Sequence, residues 1–314
     1  MGGALFVCAS AIRRLRGPNP LVDLKFLQRH NTILMGTLLI FFRFGLLATI
    51  ILIPQSLAVP GFEADQIGPA IIWTAAPQLL IAFVAALLLS RNSDTRLLMA
   101  VGLTCVAFAS CMNATLTSVW SAENYFRSEL LMAVGQSFSF IGLVSTIVLN
   151  GLFTGALMKP QAVLTYSAYF HLVRLFGGQM GVTFMTHFIA QREKLHSNLL
   201  GLHVQHGNWI SDGNVGGLAA GFFGKSSGLA AAVARAVGVV SGRLRLQAYT
   251  LTFIDGFYLI AWACSVALLL IAFVRIVAAL GERGSRTGLV RRSAVATPFH
   301  QVGFALCAPR AGSR

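Results

Sequence analysis

Arg43 sits near the centre of an apolar run, LLIFFRFGLL, too deep for its guanidinium to reach either end of a helix easily. An ionisable side chain in the middle of a membrane span costs about 2.5–3.5 kcal/mol on insertion scales, so it needs a reason to be there. Two readings stand side by side: a cation lining a cavity, where it meets a carboxylate or an anionic substrate group, or a structural hydrogen bond to neighbouring carbonyls. His171 and Arg174 lie three residues apart in another apolar run and share one helical face. They pair a side chain that titrates near neutral pH with a fixed charge. Gly177, Gly178 and Gly181 follow, and the Gly177-x-x-x-Gly181 spacing lets a second helix approach closely. Gln136 and Asn150, with Ser137, Ser139 and Ser145, draw a polar stripe suited to interhelical hydrogen bonds or to substrate contact. Asp255 falls near one end of a run, where a carboxylate reaches water; it reads as an interface residue first and a proton carrier second.

Other chemistries find little support. His196, His203 and His206 are spaced by seven and three with no cysteine or carboxylate cluster, which argues against a metal site. Cys8, Cys105, Cys111, Cys264 and Cys307 form no CxxC pair, so neither a disulfide nor a metal is expected. Ser, His and Asp are scattered without a GxSxG, and the glycines match no phosphate-binding loop. No enzyme is expected, and no cofactor.

The elements that must position these residues follow from composition. The 314 residues are 56% hydrophobic and only 11% charged, with a mean hydropathy of +0.73. A soluble domain carries about 25% charged residues, so the solvent for most of this chain is lipid. The formal charge of +14 comes from Lys and Arg in the gaps between apolar runs and in the tails, a pattern of membrane topology rather than nucleic-acid binding. A bilayer core of roughly 30 Å needs about 20 apolar residues. Six segments qualify: 32–57, 68–90, 97–119, 129–157, 162–190 and 249–279. The expected fold is therefore an all-α integral membrane bundle of six transmembrane helices.

Lys and Arg alternate between the connections. Arg13, Arg14, Arg16, Lys25 and Arg29 precede the first span, Arg91 and Arg96 follow the second, and Lys159 follows the fourth. The connection after the first span has only Glu63 and Asp65, and Arg127 in the third is set against Glu123 and Glu129. This predicts both termini on the cytoplasmic side. Residues 1–31 form an N-terminal segment, 32–279 the bundle, and 280–314 a basic tail. The stretch 191–248 is the one long external connection, read as a loop or an interfacial helix. Residues 4–16 look like the last turns of a helix that begins further upstream.

The order of these features resembles a known family. NPLVDLKFLQRHN before a span, LIPQSL at its end, SRNSDTRLL, ELLMAVGQSFSF, YFHLVRLFGGQMGVTFMTHFIAQREKLHSNL and LQAYTLTFIDGFYLIA appear in sequence. Together they are similar to the C-terminal half of the fourteen-spanner drug:proton antiporters of the EmrB/QacA type, in the major facilitator superfamily. The resemblance covers roughly residues 4–275. It implies one half of a major facilitator fold in a bacterial inner membrane, exporting lipophilic or cationic small molecules with the proton gradient as energy source. It implies further that the first and fourth spans line a cavity, bringing Arg43 and Gln136 to it, and that the second and fifth face the other half. Arg91, Asp94 and Arg96 resemble a degenerate copy of the superfamily's cytoplasmic gating loop. The partners implied are the lipid bilayer, a lipophilic substrate, an N-terminal half or a second copy of the chain, and a periplasmic adaptor. One bundle supplies one wall of an alternating-access site, so the chain alone is not expected to transport; the alternative is a non-transporting truncated remnant or a membrane assembly or regulatory subunit.

Overall fold

The computed structural model describes residues 30–91, 94–153, 160–204, 207 and 209–293. The expectations resting on residues 1–29, Lys159, His206 and the tail beyond 293 lie outside them. Among the described residues every regular element is helical. The helices are α1 (His30–Gly45), α2 (Ile53–Ala58), α3 (Ala64–Ser90), α4 (Thr95–Asn113), α5 (Phe126–Phe153), α6 (Pro160–Gly201), α7 (Trp209–Phe223) and α8 (Leu229–Ser293). The chain divides into two compact units, Met1–Ala272 and Phe273–Arg314, the second helical as far as Ser293.

Among the described residues five segments are long and apolar enough to cross a membrane: His30–Ala58, Ala64–Ser90, Thr95–Asn113, Ala122–Leu152 and Leu229–Ala272. Side chains that a water-soluble protein would bury face outward, Leu79 at 80% exposure being an example. The chain is thus an all-α, multi-pass membrane protein. The sequence leads to six spans, and the one not among the five is 162–190. It is helical, within the 42 residues of α6, but His171, Arg174, Gln179 and His187 dilute its apolar character.

Local chemistry explains the joints that matter for the site. Between α1 and α2 the helix widens into a π-turn, Ala48–Leu52, where the Ile53 N–H reaches back to the Ala48 carbonyl. Pro54 follows at once; its ring clashes with the carbonyl four residues earlier, and a widened turn relieves that clash. The turn carries Thr49, which is buried. Helix α3 opens with a capping box, the Glu63 N–H donating to Gln66 Oε1 at 3.1 Å. Helix α4 opens on Asp94, whose carboxylate accepts from the Arg96 N–H at 3.0 Å.

Helices α4 and α5 pack along a seam of glycines. A Cβ on Gly102 would stand 2.3 Å from the Ser139 nitrogen, and one on Gly142 2.8 Å from the Met99 nitrogen. Backbone meets backbone here, which is how membrane helices gain van der Waals contact without a hydrophobic driving force. A looser seam joins α1 to α6, where Cβ atoms on Gly177 and Gly181 would meet Ile40 at 3.3 Å and Leu47 at 3.1 Å. Phe253, Phe257 and Ile260 of α8 are fully buried, and α8 closes on the π-turn, with a Cβ on Gly256 falling 2.9 Å from Leu52.

The stretch 191–248, expected as a long connection, is largely helical over its described residues. Helix α6 runs on to Gly201, α7 occupies Trp209–Phe223, and α8 begins at Leu229. Ala219, Ala232 and Ala236 form a small core there with Val215, Leu218 and Phe222 packed against it. At 1.5 Å per residue the Leu229–Ala272 part of α8 alone is about 66 Å long, far more than a bilayer requires.

Candidate functional site: a cavity with two arginines and a buried carboxyl behind it

A cavity of about 300 Å³ opens among α1, α3, α5 and α6. Leu39, Phe42, Leu46, Leu79, Phe140 and Ile141 make it apolar; Arg43, Gln78, Gln136, Ser137 and Arg174 supply the polar groups. Helix phase explains the set: positions 39, 42, 43 and 46 fall on one face, as do 136, 137, 140 and 141. Arg43 Nε donates to the Arg174 carbonyl oxygen at 3.4 Å, which ties the first charged residue to the second. Among the described residues the lining holds two guanidinium groups and no carboxylate.

Behind the cavity wall lies Glu129, fully buried in the first turn of α5. Its Oε2 accepts a short hydrogen bond from the Thr74 hydroxyl of α3 and another from Thr49 of the π-turn at 3.4 Å. Its Oε1 accepts from Asn113 Nδ2, the last residue of α4, at 3.3 Å. Among the described residues no ion pair reaches it. Beside it Tyr125, also fully buried, shares a 2.8 Å hydrogen bond with Ser56 Oγ. A chain of contacts leads from the carboxyl to the cavity. Gln136 Nε2 donates to Thr49 Oγ1 at 3.0 Å, and Gln78 Nε2 donates to Gln136 Oε1 at 2.6 Å.

A second carboxylate cluster joins α6 to α8. Asp255 Oδ2 lies 2.9 Å from His196 Nε2 and 3.5 Å from Arg192. Below it Glu193 takes a hydrogen bond from Ser197 at 3.0 Å and faces Arg245 at 3.7 Å. This cluster is partly open, the Asp255 side chain retaining 29% exposure.

Of the residues singled out in the sequence, Arg43, Gln136 and Arg174 meet at one cavity. His171 does not join them and is exposed on α6. Asp255 lies in the other cluster, with His196 as its partner. Gly178 borders the cavity, a Cβ there reaching 3.9 Å from Arg43, while Gly177 and Gly181 serve the α1–α6 seam. Arg91 ends α3 and Asp94 caps α4, with Arg96 supplying the capped N–H. No group of three or more metal-ligating side chains occurs among the described residues.

Sequence reasoning missed Glu129, Thr49, Thr74, Asn113 and Gln78. A usable signal existed: Glu129 is followed directly by LLMAVG, so its carboxyl enters the apolar part of the helix rather than the connection. Comparison with protein-family models finds no match, and comparison with curated proteins finds none either.

Proposed function

We propose that this chain is one bundle of a proton-coupled exporter of lipophilic small molecules, of the major facilitator drug:proton type. The observation that carries the reading is the cavity itself, apolar walls with Arg43, Gln136 and Arg174 converging inside a membrane bundle. Such a site suits a ligand that is mostly apolar with a few polar anchors. The resemblance of residues 4–275 to the C-terminal half of those antiporters points the same way. A second bundle, either an N-terminal half or another copy, supplies the opposite wall that alternating access needs. The basic connections support a topology with both termini in the cytoplasm of a bacterial cell.

Charge refines the substrate. Two guanidinium groups without a carboxylate favour a lipophilic molecule with an anionic or hydrogen-bond-accepting group over a lipophilic cation. The Arg43–Arg174 tie is the natural place for such a group to dock.

The test is efflux and binding with an aryl carboxylate, 2-naphthoate, as probe. Cells expressing the chain with its partner bundle are expected to extrude it, and a protonophore to abolish extrusion. Arg43→Ala and Arg174→Ala are expected to lower binding by the purified chain at least tenfold at unchanged protein level, about 1.4 kcal/mol. Equal phenotypes for wild type and both variants would instead mark a membrane subunit that does not transport.

A further inference from the structure

Among the described residues Glu129 lies outside the cavity lining and makes no hydrogen bond to the groups that would hold a substrate directly. We infer that Glu129 is a proton-binding site of this bundle, exchanging its proton while Thr49, Gln136 and Gln78 pass its charge state to the cavity. The inference rests on the proposed transport function for its purpose, but on geometry alone for its chemistry.

Consider what faces the carboxyl. From α1 and its π-turn comes Thr49, from α3 Thr74, from α4 Asn113. None is charged. The titratable neighbour is Tyr125, one turn earlier, whose hydroxyl is occupied by Ser56. A carboxylate kept permanently ionised at full burial requires a cation or several N–H donors to repay its lost hydration. Lys and Arg would hold it in one state. The partners present are instead two hydroxyls and one carboxamide, each able to donate to an ionised oxygen or to accept from a protonated one. The shell therefore serves both charge states.

Asn113 supplies the independent sign. Its Oδ1 is buried without a partner, while its Nδ2 donates to Glu129 Oε1. Turned end for end, the same amide offers Oδ1 as acceptor at that place. Uptake then reads simply: an O–H bond forms on Oε1 and donates to Asn113 Oδ1. Release breaks that bond, the proton passes to water, and Asn113 turns back to donate to the ionised oxygen.

Oε2 carries the message onward. The Thr49 hydroxyl donates to it and accepts from Gln136 Nε2, which fixes the direction of the Gln136 amide and hence its acceptance from Gln78. A full negative charge on the carboxyl strengthens the Thr49 bond and draws this chain toward Glu129. A neutral acid loosens it. Gln136 and Gln78 both line the cavity, so the site's charge state alters the polar anchors available to substrate.

The experiment uses the purified full chain in lipid nanodiscs. Infrared difference spectra between about pH 5 and about pH 9 are expected to contain the carbonyl stretch of a protonated carboxylic acid, lost in Glu129→Gln and retained in Arg43→Ala. A Glu129→Gln spectrum with the same band as wild type overturns the inference. The amide variant keeps the size of the side chain, and a thermal melt close to wild type confirms that it folds. Binding of 2-naphthoate adds the coupling: its affinity is expected to depend on pH in wild type and to lose that dependence in Glu129→Gln, with binding retained. PH-dependence unchanged in Glu129→Gln overturns the link to the cavity. Wild type that shows the carboxylic-acid band but binds no 2-naphthoate sinks the transport reading and leaves the proton site standing.

Discussion

Asp255 and Glu129 are each held between helices, and they are held in opposite ways. Asp255 sits between α6 and α8 with His196 at 2.9 Å and Arg192 at 3.5 Å, partly open, its charge answered by charge. Glu129 sits among α3, α4, α5 and the π-turn with hydroxyls and an amide for company and no exposure at all. The first is an ion pair that stabilises one state. The second is a carboxyl whose surroundings accept two. The difference lies in the neighbours: among the described residues the elements around Glu129 contribute Thr49, Thr74 and Asn113, whereas α6 brings Arg192 and His196 to Asp255 of α8.

The largest effect should come from prising the closed region apart. Gly102→Ala places a methyl group 2.3 Å from the Ser139 nitrogen and 2.8 Å from the Gly135 oxygen. Backbone atoms do not yield as a flexible side-chain end does. The expected loss is about 3 kcal/mol, read as a collapse of the thermal transition in detergent or nanodiscs. Gly238→Ala on α8 is the matching control, because nothing lies within 4 Å of the added methyl. It should leave the transition unchanged or raise it. Equal effects from both would mean that the seam is not what holds Asn113 against Glu129.

Next in size is Asn113→Leu. It removes the one donor to Glu129 Oε1 among the described residues and leaves a fully buried oxygen without that partner, at a cost of about 1–3 kcal/mol. Adding Glu129→Leu to that variant should recover part of the loss, since replacing both partners of a buried polar contact by apolar groups is far less costly than replacing one. A melt of the double variant below that of Asn113→Leu would show that the carboxyl earns stability from its other contacts.

The contrast between these regions also shows what the amino-acid pattern reveals. Arg43, Gln136 and Arg174 stand out because a charge or an amide inside an apolar run is conspicuous, and each of the three borders the cavity. Glu129 does not stand out. It follows Arg127 by two residues and Glu123 by six, so it blends into a polar connection. Only the start of α5 at Phe126 draws it into the bundle. Thr49 is hidden for another reason: it lies within the π-turn Ala48–Leu52, whose extra residue breaks the regular helical phase there. The membrane character was legible from composition alone. The helices within 191–248 were less so, because the Gly- and Ala-rich stretch offers little periodic contrast, although its alanines favour helix strongly.

The smallest effect belongs to the open cluster, and it tests the comparison from its other side. Asp255→Asn removes the charge but keeps a group able to hydrogen-bond His196. Its partners are partly exposed, the Arg192 side chain at 43%, and pairs of that kind contribute about 0–1 kcal/mol. The expected change is therefore about 0.5 kcal/mol, shrinking further as salt is added because solvent ions screen an exposed pair. Glu129→Gln should differ from it in kind: little dependence on salt, since no ionic partner is lost, and a loss of proton exchange together with the pH-dependence of binding that follows from it. If Asp255→Asn instead melts the protein as deeply as Asn113→Leu, the α6–α8 cluster is sealed by something beyond its ion pairs. The division into a static pair and an exchanging carboxyl then fails at Asp255 rather than at Glu129.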